Sequence, residues 1–390
     1  MVMQDGDALD VRPGGDPSRA AAHHHGAYHT TAFFLTLYAA ALTAWTVYGI
    51  VQGDSSVWDF VEGLFNPGAS PASQLVGPYE WAFAAAFLAT AGLAVAHRRP
   101  ARSAALFSGF FLLAVSLREA VGLFDAAYRD QYATDPLGGW ALATRVLGLV
   151  VAVVVLAAML PATEGRTRGR VRGRTESAGP EGQGPGPDRT DSASAGTGTA
   201  TGAGTGTRTD ASAPGPCAGA RGRCLSRICG VLFLAMGAIR LAWTTRDLST
   251  AGMDTFRYLR GAVDGSVLGT LNLAASAEFT TLGSILAFFV LGVLAFRARG
   301  DVRGALLVFA SVELYLTVRT AVWLTVTDFF NQSFETPDGA LSMATTAFSL
   351  AAMTSVAVLV MGWGPGRTGA AEPAGAAEGG GEARGGLPQA

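Results

Sequence analysis

The sequence predicts an all-α integral membrane protein: eight transmembrane helices arranged as two parallel four-helix repeats, each with a short outer amphipathic helix. Three observations predict it. Of the 390 residues, 49% are hydrophobic and only 15% charged, against roughly 25% charged in soluble domains. The apolar residues fall in blocks of the length that crosses a bilayer, about 20 residues. The later part of the chain also restates residues of the earlier part at a nearly constant offset.

Eight segments qualify as spans: Thr31–Val51, Tyr79–Ala96, Ser103–Phe124, Gly139–Leu160, Arg227–Thr245, Ala277–Phe296, Arg303–Thr325 and Gly339–Gly362. The first is preceded by polar sequence with Asp5, Asp7, Asp10 and Asp16. A signal peptide carries a short basic region there, so the first segment is expected to be a retained span. The domains expected are a disordered tail (1–30), a first repeat (31–161), a disordered linker (162–225), a second repeat (226–362) and a disordered tail (363–390). The linker contains SAGTGTATGAGTGTRTD, too poor in apolar surface to offset its ordering entropy.

Arginine sets the orientation. The connections His97–Arg102 and Arg297–Arg303, and the start of the linker at Arg166–Arg174, are basic. Residues 52–78 and 326–338 hold Asp54, Asp59, Glu62, Asp328, Glu335 and Asp338 and no arginine. Basic loops stay cytoplasmic, so both termini are expected inside a plasma membrane. The source expected from a lysine-free, Arg/Ala/Gly-rich composition is a prokaryote with a GC-rich genome.

The duplication aligns the third and fourth spans with the seventh and eighth at an offset of 201: Arg102/Arg303, Arg118/Arg319, Gln131/Gln332, Pro136/Pro337 and Gly138/Gly339. An offset of 198 aligns Ala44-Trp45-Thr46 with Ala242-Trp243-Thr244 and Glu80 with Glu278. Each copy holds four spans, so both enter and leave on one side, which makes the repeat parallel. After each first span comes a segment with apolar residues at helical spacing, Val57–Phe65 and Phe256–Val263, read as an amphipathic helix at the outer interface.

Charges inside spans are costly unless paired or wetted, so they are the first candidates for function. Arg118 and Arg319 recur at matching depth, as do Glu80 and Glu278, with Trp45 and Trp243 nearby. They are read as repeated pairs, Arg118 with Glu80 and Arg319 with Glu278, either fixing helix register or forming a duplicated ligand site. Glu313 has no counterpart, since Leu112 occupies its matching position, and it falls mid-span. Thr317, Thr320 and Thr327 lie on its helical face, and the last span carries Ser342, Thr345, Thr346 and Ser349 as a second stripe. A protonatable carboxylate facing hydroxyls suits a proton- or cation-coupled path; the alternative is a carboxyl hydrogen-bonded to a neighbouring helix. Arg240 and Arg145 are further intramembrane charges, Arg240 being a possible partner of Glu313.

Other chemistry is excluded or poorly supported. Without lysine there is no Schiff base, lysine nucleophile or Walker-type loop. The motifs HExxH, GxSxG and CxxC are absent. His23, His24, His25 and His29 lie in a polar stretch, and Cys217, Cys224 and Cys229 fall short of a zinc site. No catalytic residue, metal or cofactor is assigned, and an enzyme is the less favoured class. The expected partners are the bilayer and a small solute or ion, not nucleic acid. Two functions are carried forward: a small-solute or ion transporter or channel, and a non-catalytic membrane scaffold or accessory subunit.

Overall fold

The computed structural model describes residues 24–52, 56–69, 76–162, 217–250, 252, 254–268, 273, 276–297, 301–327, 329 and 333–362. The tails, most of the linker, His23 and the side chain of Cys217 lie outside these residues. The described chain is helical, with no β-strand among its elements. In order these are α1 (His25–Gln52), α2 (Val57–Phe65), α3 (Pro78–Val95), α4 (Pro100–Gly122), α5 (Ala126–Thr134), α6 (Gly138–Met159), α7 (Cys217–Ser249), α8 (Thr255–Val263), α9 (Ala277–Phe296), α10 (Arg303–Val326) and α11 (Pro337–Gly362). Short 3₁₀ turns occupy Pro67–Ala69, Gly265–Leu268 and Ser333–Glu335.

Eight of these helices are long and apolar enough to cross a membrane, the signature of a multi-pass membrane protein. Each buries only 28–44% of its most apolar window inside the protein. The outward faces stay apolar, as at Phe33, Phe110, Leu286 and Met361. A helix apolar all round needs an apolar environment all round, and a bilayer supplies it.

Local sequence sets the helix ends. Proline opens α3 and α4 at their first turns, where its missing N–H costs nothing. Ser56 and Asp59 form a capping box on α2, and Asp125, Asp254 and Ser276 cap α5, α8 and α9. The turn between α3 and α4 is made by His97 in the left-handed region, φ 52°. The short helices α2 and α8 coincide with the two segments read as amphipathic from spacing. Helix α5 was not anticipated: its sequence AAYRDQYAT has no apolar period, and the Asp125 cap starts it, accepting from the Ala127 and Tyr128 amides. Helices α1 and α7 begin earlier than the apolar blocks, at His25 and Cys217 rather than Thr31 and Arg227, since helix continues where hydropathy stops.

Two buried clusters form the core. One joins α1, α3, α4 and α6 around Phe83, Phe87 and Val151, and Val308 and Val312 of α10 reach into it. The other joins α7, α9, α10 and α11 around Phe233, Phe288 and Phe309, with Phe107 of α4 against it. Helices α4 and α10 therefore meet between the first half (α1–α6) and the second (α7–α11). They touch at Gly304, whose N–H donates to Ser103 Oγ at 3.0 Å. A Cβ at Gly304 would collide with the Pro100 carbonyl oxygen.

Candidate functional site

Among the described residues, buried charge gathers in two places. In the second half, α10 carries Glu313 at mid-helix, with its side chain 1% exposed. One carboxylate oxygen accepts from Arg240 Nη2 of α7 at 2.6 Å and the other from Ser284 Oγ of α9 at 2.6 Å. The Arg240 side chain is 32% exposed, so the pair is not fully enclosed. Tyr79 of α3, from the first half, interacts with both Ser284 and Glu313. The centre thus draws on three helices of one half and one of the other.

In the first half, Glu119 of α4 is the carboxylate of a second centre. Its Oε1 lies 3.4 Å from Arg118 Nη1 and 3.5 Å from Arg145 Nη2 of α6. Its Oε2 accepts from the Tyr128 hydroxyl at 3.1 Å. Tyr128 and Tyr132 of α5 meet edge-on and are both held above the usual phenol range, by burial first; for Tyr128 the negative charge of Glu119 adds to that. The field of Glu80 acts on Arg145 and Tyr38.

Each half also reaches across to the other. Arg118 Nε donates to the Gly261 carbonyl of α8 at 3.3 Å, and its guanidinium lies 5.6 Å over the Phe279 ring. Arg319 Nη2 of α10 donates to the Gly63 carbonyl of α2 at 3.4 Å, and the Tyr315 hydroxyl to the Leu64 carbonyl at 2.7 Å. Where sequence matching assigned Glu80 to Arg118, the geometry gives Arg118 its own neighbour Glu119 and the opposite half's α8. The carboxylate of Glu278, also from the opposite half, acts on it electrostatically. Arg319, matched with Glu278 by sequence, likewise reaches the opposite half's short helix.

The remaining sequence candidates fall as follows. Arg240 and Glu313 come together. Thr317 is buried on the face of Glu313, but its hydroxyl donates to the Glu313 backbone carbonyl at 2.7 Å. Thr320 donates to Leu316 O, Thr345 and Thr346 to Ser342 O, and Ser349 to Thr345 O and the Met236 sulfur. The hydroxyls of Thr317, Thr320, Thr345, Thr346 and Ser349 thus each bond a carbonyl of their own helix. Trp45 Nε1 donates to Thr144 Oγ1 at 2.8 Å, beside a groove of ≈ 470 Å³ between α1 and α6 lined by Tyr48, Leu137, Trp140 and Leu147. The Arg246 guanidinium lies 5.1 Å over the Trp243 ring. The His25 and His29 rings pack on His97 at 4.0 and 4.8 Å between centroids. Among the described residues no three such side chains are set to hold a metal ion.

Glu119 was the group that sequence reading passed over. A signal existed: at the offset of 201, Glu119 matches Thr320 and Arg145 matches Thr346. Compared with known proteins, the chain matches no family, no curated protein and no solved structure.

Proposed function

We propose that the protein moves a small solute or ion across a plasma membrane, with the Glu313–Arg240–Ser284 centre as its coupling element. One observation carries this reading: a fully buried carboxylate at mid-span is held by one half of the bundle, with Tyr79 of the other half near enough to interact with Ser284 and with the carboxylate's charge. A carboxylate there can exchange its arginine for a proton or a cation, and any movement of the halves alters its surroundings. The halves are two parallel copies of one four-helix unit. Supporting this, Arg118 and Arg319 match at 201 and the glycines they reach, Gly63 and Gly261, match at 198. Likewise Gly138 packs on the Tyr132 carbonyl as Gly339 packs on that of Ser333. Both termini face the cytoplasm, on the side of His97–Arg102 and Arg297–Arg303.

The test is reconstitution into liposomes holding a pH-sensitive dye, under imposed proton and sodium gradients. Wild-type protein should dissipate one of them, and Glu313→Gln and Arg240→Gln should each slow the flux at least roughly tenfold. Equal flux in all three sinks the reading. A second reading, a scaffold or accessory subunit whose charges are structural, draws on one observation: both Glu313 oxygens already have donors, and the neighbouring hydroxyls bond their own helices. It predicts destabilised variants and no gradient dissipated by any form.

A further inference from the structure

We infer that the arginine-bearing end of the α7–α9 contact binds the headgroup of an anionic phospholipid, with Arg227 and Arg297 as its two main ligands. The helices pack tightly at this end. Ser226 Oγ of α7 donates to the Ala295 carbonyl of α9 at 2.6 Å, and a Cβ at Gly230 would collide with the Phe296 amide nitrogen. An arginine follows each of these contacts, Arg227 after Ser226 and Arg297 after Phe296. Their backbones are therefore neighbours, and both side chains are exposed. Arg223 is also exposed and stands one turn before Arg227 on α7.

Like charges four residues apart on a helix repel, and a third cation beside them adds to the repulsion. Among the described residues, no ion pair includes Arg223, Arg227 or Arg297. The acid next to Arg297 along the described chain, Asp301, lies 4.0 Å from Arg303. A phosphate between Arg227 and Arg297 relieves that repulsion and takes the bidentate hydrogen bonds that guanidinium groups offer. The surface beside the arginines identifies the carrier of the phosphate. Ile228 and Val231 of α7 and Phe296 of α9 are 44%, 52% and 48% exposed, all within helices long and apolar enough to cross a membrane. Cations at the rim of an apolar surface suit a headgroup whose acyl chains cover that surface, whereas free phosphate would leave it bare.

Full-length protein in detergent, titrated with dioleoyl phosphatidylglycerol or dioleoyl phosphatidylcholine and read by native mass spectrometry, tests the site. The wild type should bind the anionic lipid roughly tenfold more tightly than the zwitterionic one, since the acyl chains are identical and only the headgroup charge differs. Arg227→Gln with Arg297→Gln should lose that preference while keeping the wild-type melting midpoint in phosphatidylcholine. Arg98→Gln with Arg99→Gln removes the same charge from the exposed turn between α3 and α4, at the same end of the bundle, and should keep most of the preference. Equal affinity of the wild type for the two lipids overturns the inference. So does an equal loss in the two double variants, which would reduce the arginines to diffuse charge. Release of the bound phosphatidylglycerol by millimolar sodium phosphate would assign the site to a free anion and overturn it as well. None of these readouts depends on flux, so the site and the transport reading stand or fall separately.

Discussion

Glu313 accepts from Arg240 at 2.6 Å, and the positions matching these two residues in the first half, Leu112 and Leu42, are both apolar. The two side chains form one buried unit, and they should behave as one. Arg240→Leu leaves a carboxylate buried without its cation, which costs about 3–5 kcal/mol. Arg240→Leu with Glu313→Leu puts apolar side chains at both positions and should recover most of that loss. Thermal denaturation midpoints of the wild type, both single variants and the double variant measure the coupling. A double variant as damaged as Arg240→Leu alone would mean that these side chains are not a pair.

The Glu119 centre depends on α5. The Tyr128 hydroxyl is the donor to Glu119 Oε2, while the Tyr132 hydroxyl lies 3.4 Å from that of Tyr128 and contacts the carboxylate only through it. Tyr128→Phe should lower stability by about 1–3 kcal/mol, the cost of a buried acceptor deprived of its donor. Tyr132→Phe should cost clearly less. The comparison is read in the same melting experiment, and equal losses would place the role of α5 in ring packing instead.

Much of this arrangement was legible in the sequence. Hydropathy alone located the eight long helices, because an outward face that stays apolar leaves a continuous signal. Spacing located α2 and α8, since Trp58, Val61 and Phe65 or Phe256, Leu259 and Val263 recur at helical intervals. The partners of Arg118 and Arg319 were not legible. Matching residues by depth within one copy assigns each arginine to its own half, whereas each also bonds a glycine carbonyl of the other half, and a glycine carbonyl has no signature in a sequence. The bonds of the hydroxyl stripes were not legible for a related reason. Helical periodicity reports the face of a side chain, and threonine on any face can turn back to the carbonyl one turn earlier.

At the end of α8 the Asp264 carboxyl is held below the usual carboxylate value. Burial alone would raise it, but bonds from the Ser266 hydroxyl, the Ser266 amide and Arg260 outweigh burial. A carboxyl more acidic in the folded than in the unfolded protein contributes stability that is present above the unfolded value. That contribution is lost as pH falls through the folded value. Asp264→Asn should therefore be less stable than the wild type at pH 7 by a margin that stays constant down to about pH 4 and shrinks below it. Melting curves across that range check it. A margin that persists undiminished in acid would show that the asparagine disrupts the turn for a reason other than charge.

Where α4 and α10 cross, the helices are held together by the lack of a side chain. The Gly304 amide reaches Ser103 Oγ at 3.0 Å, and a Cβ would run into the carbonyl of Pro100. That carbonyl belongs to the first turn of α4, where the proline ring fixes the backbone, so the obstacle cannot swing aside as a flexible side chain would. Gly304→Ala must push α10 off α4, also separating the Phe107 and Phe309 rings that now meet at 5.6 Å. The expected loss is about 1–3 kcal/mol, the usual penalty of overpacking. Gly283 in α9 is the control, because a Cβ there meets nothing within 4 Å. Gly283→Ala should hold or raise stability by up to about 1 kcal/mol through helix propensity alone. Melting midpoints that fall for Gly304→Ala and not for Gly283→Ala identify the crossing as the constraint; equal midpoints would mean that the halves are joined elsewhere.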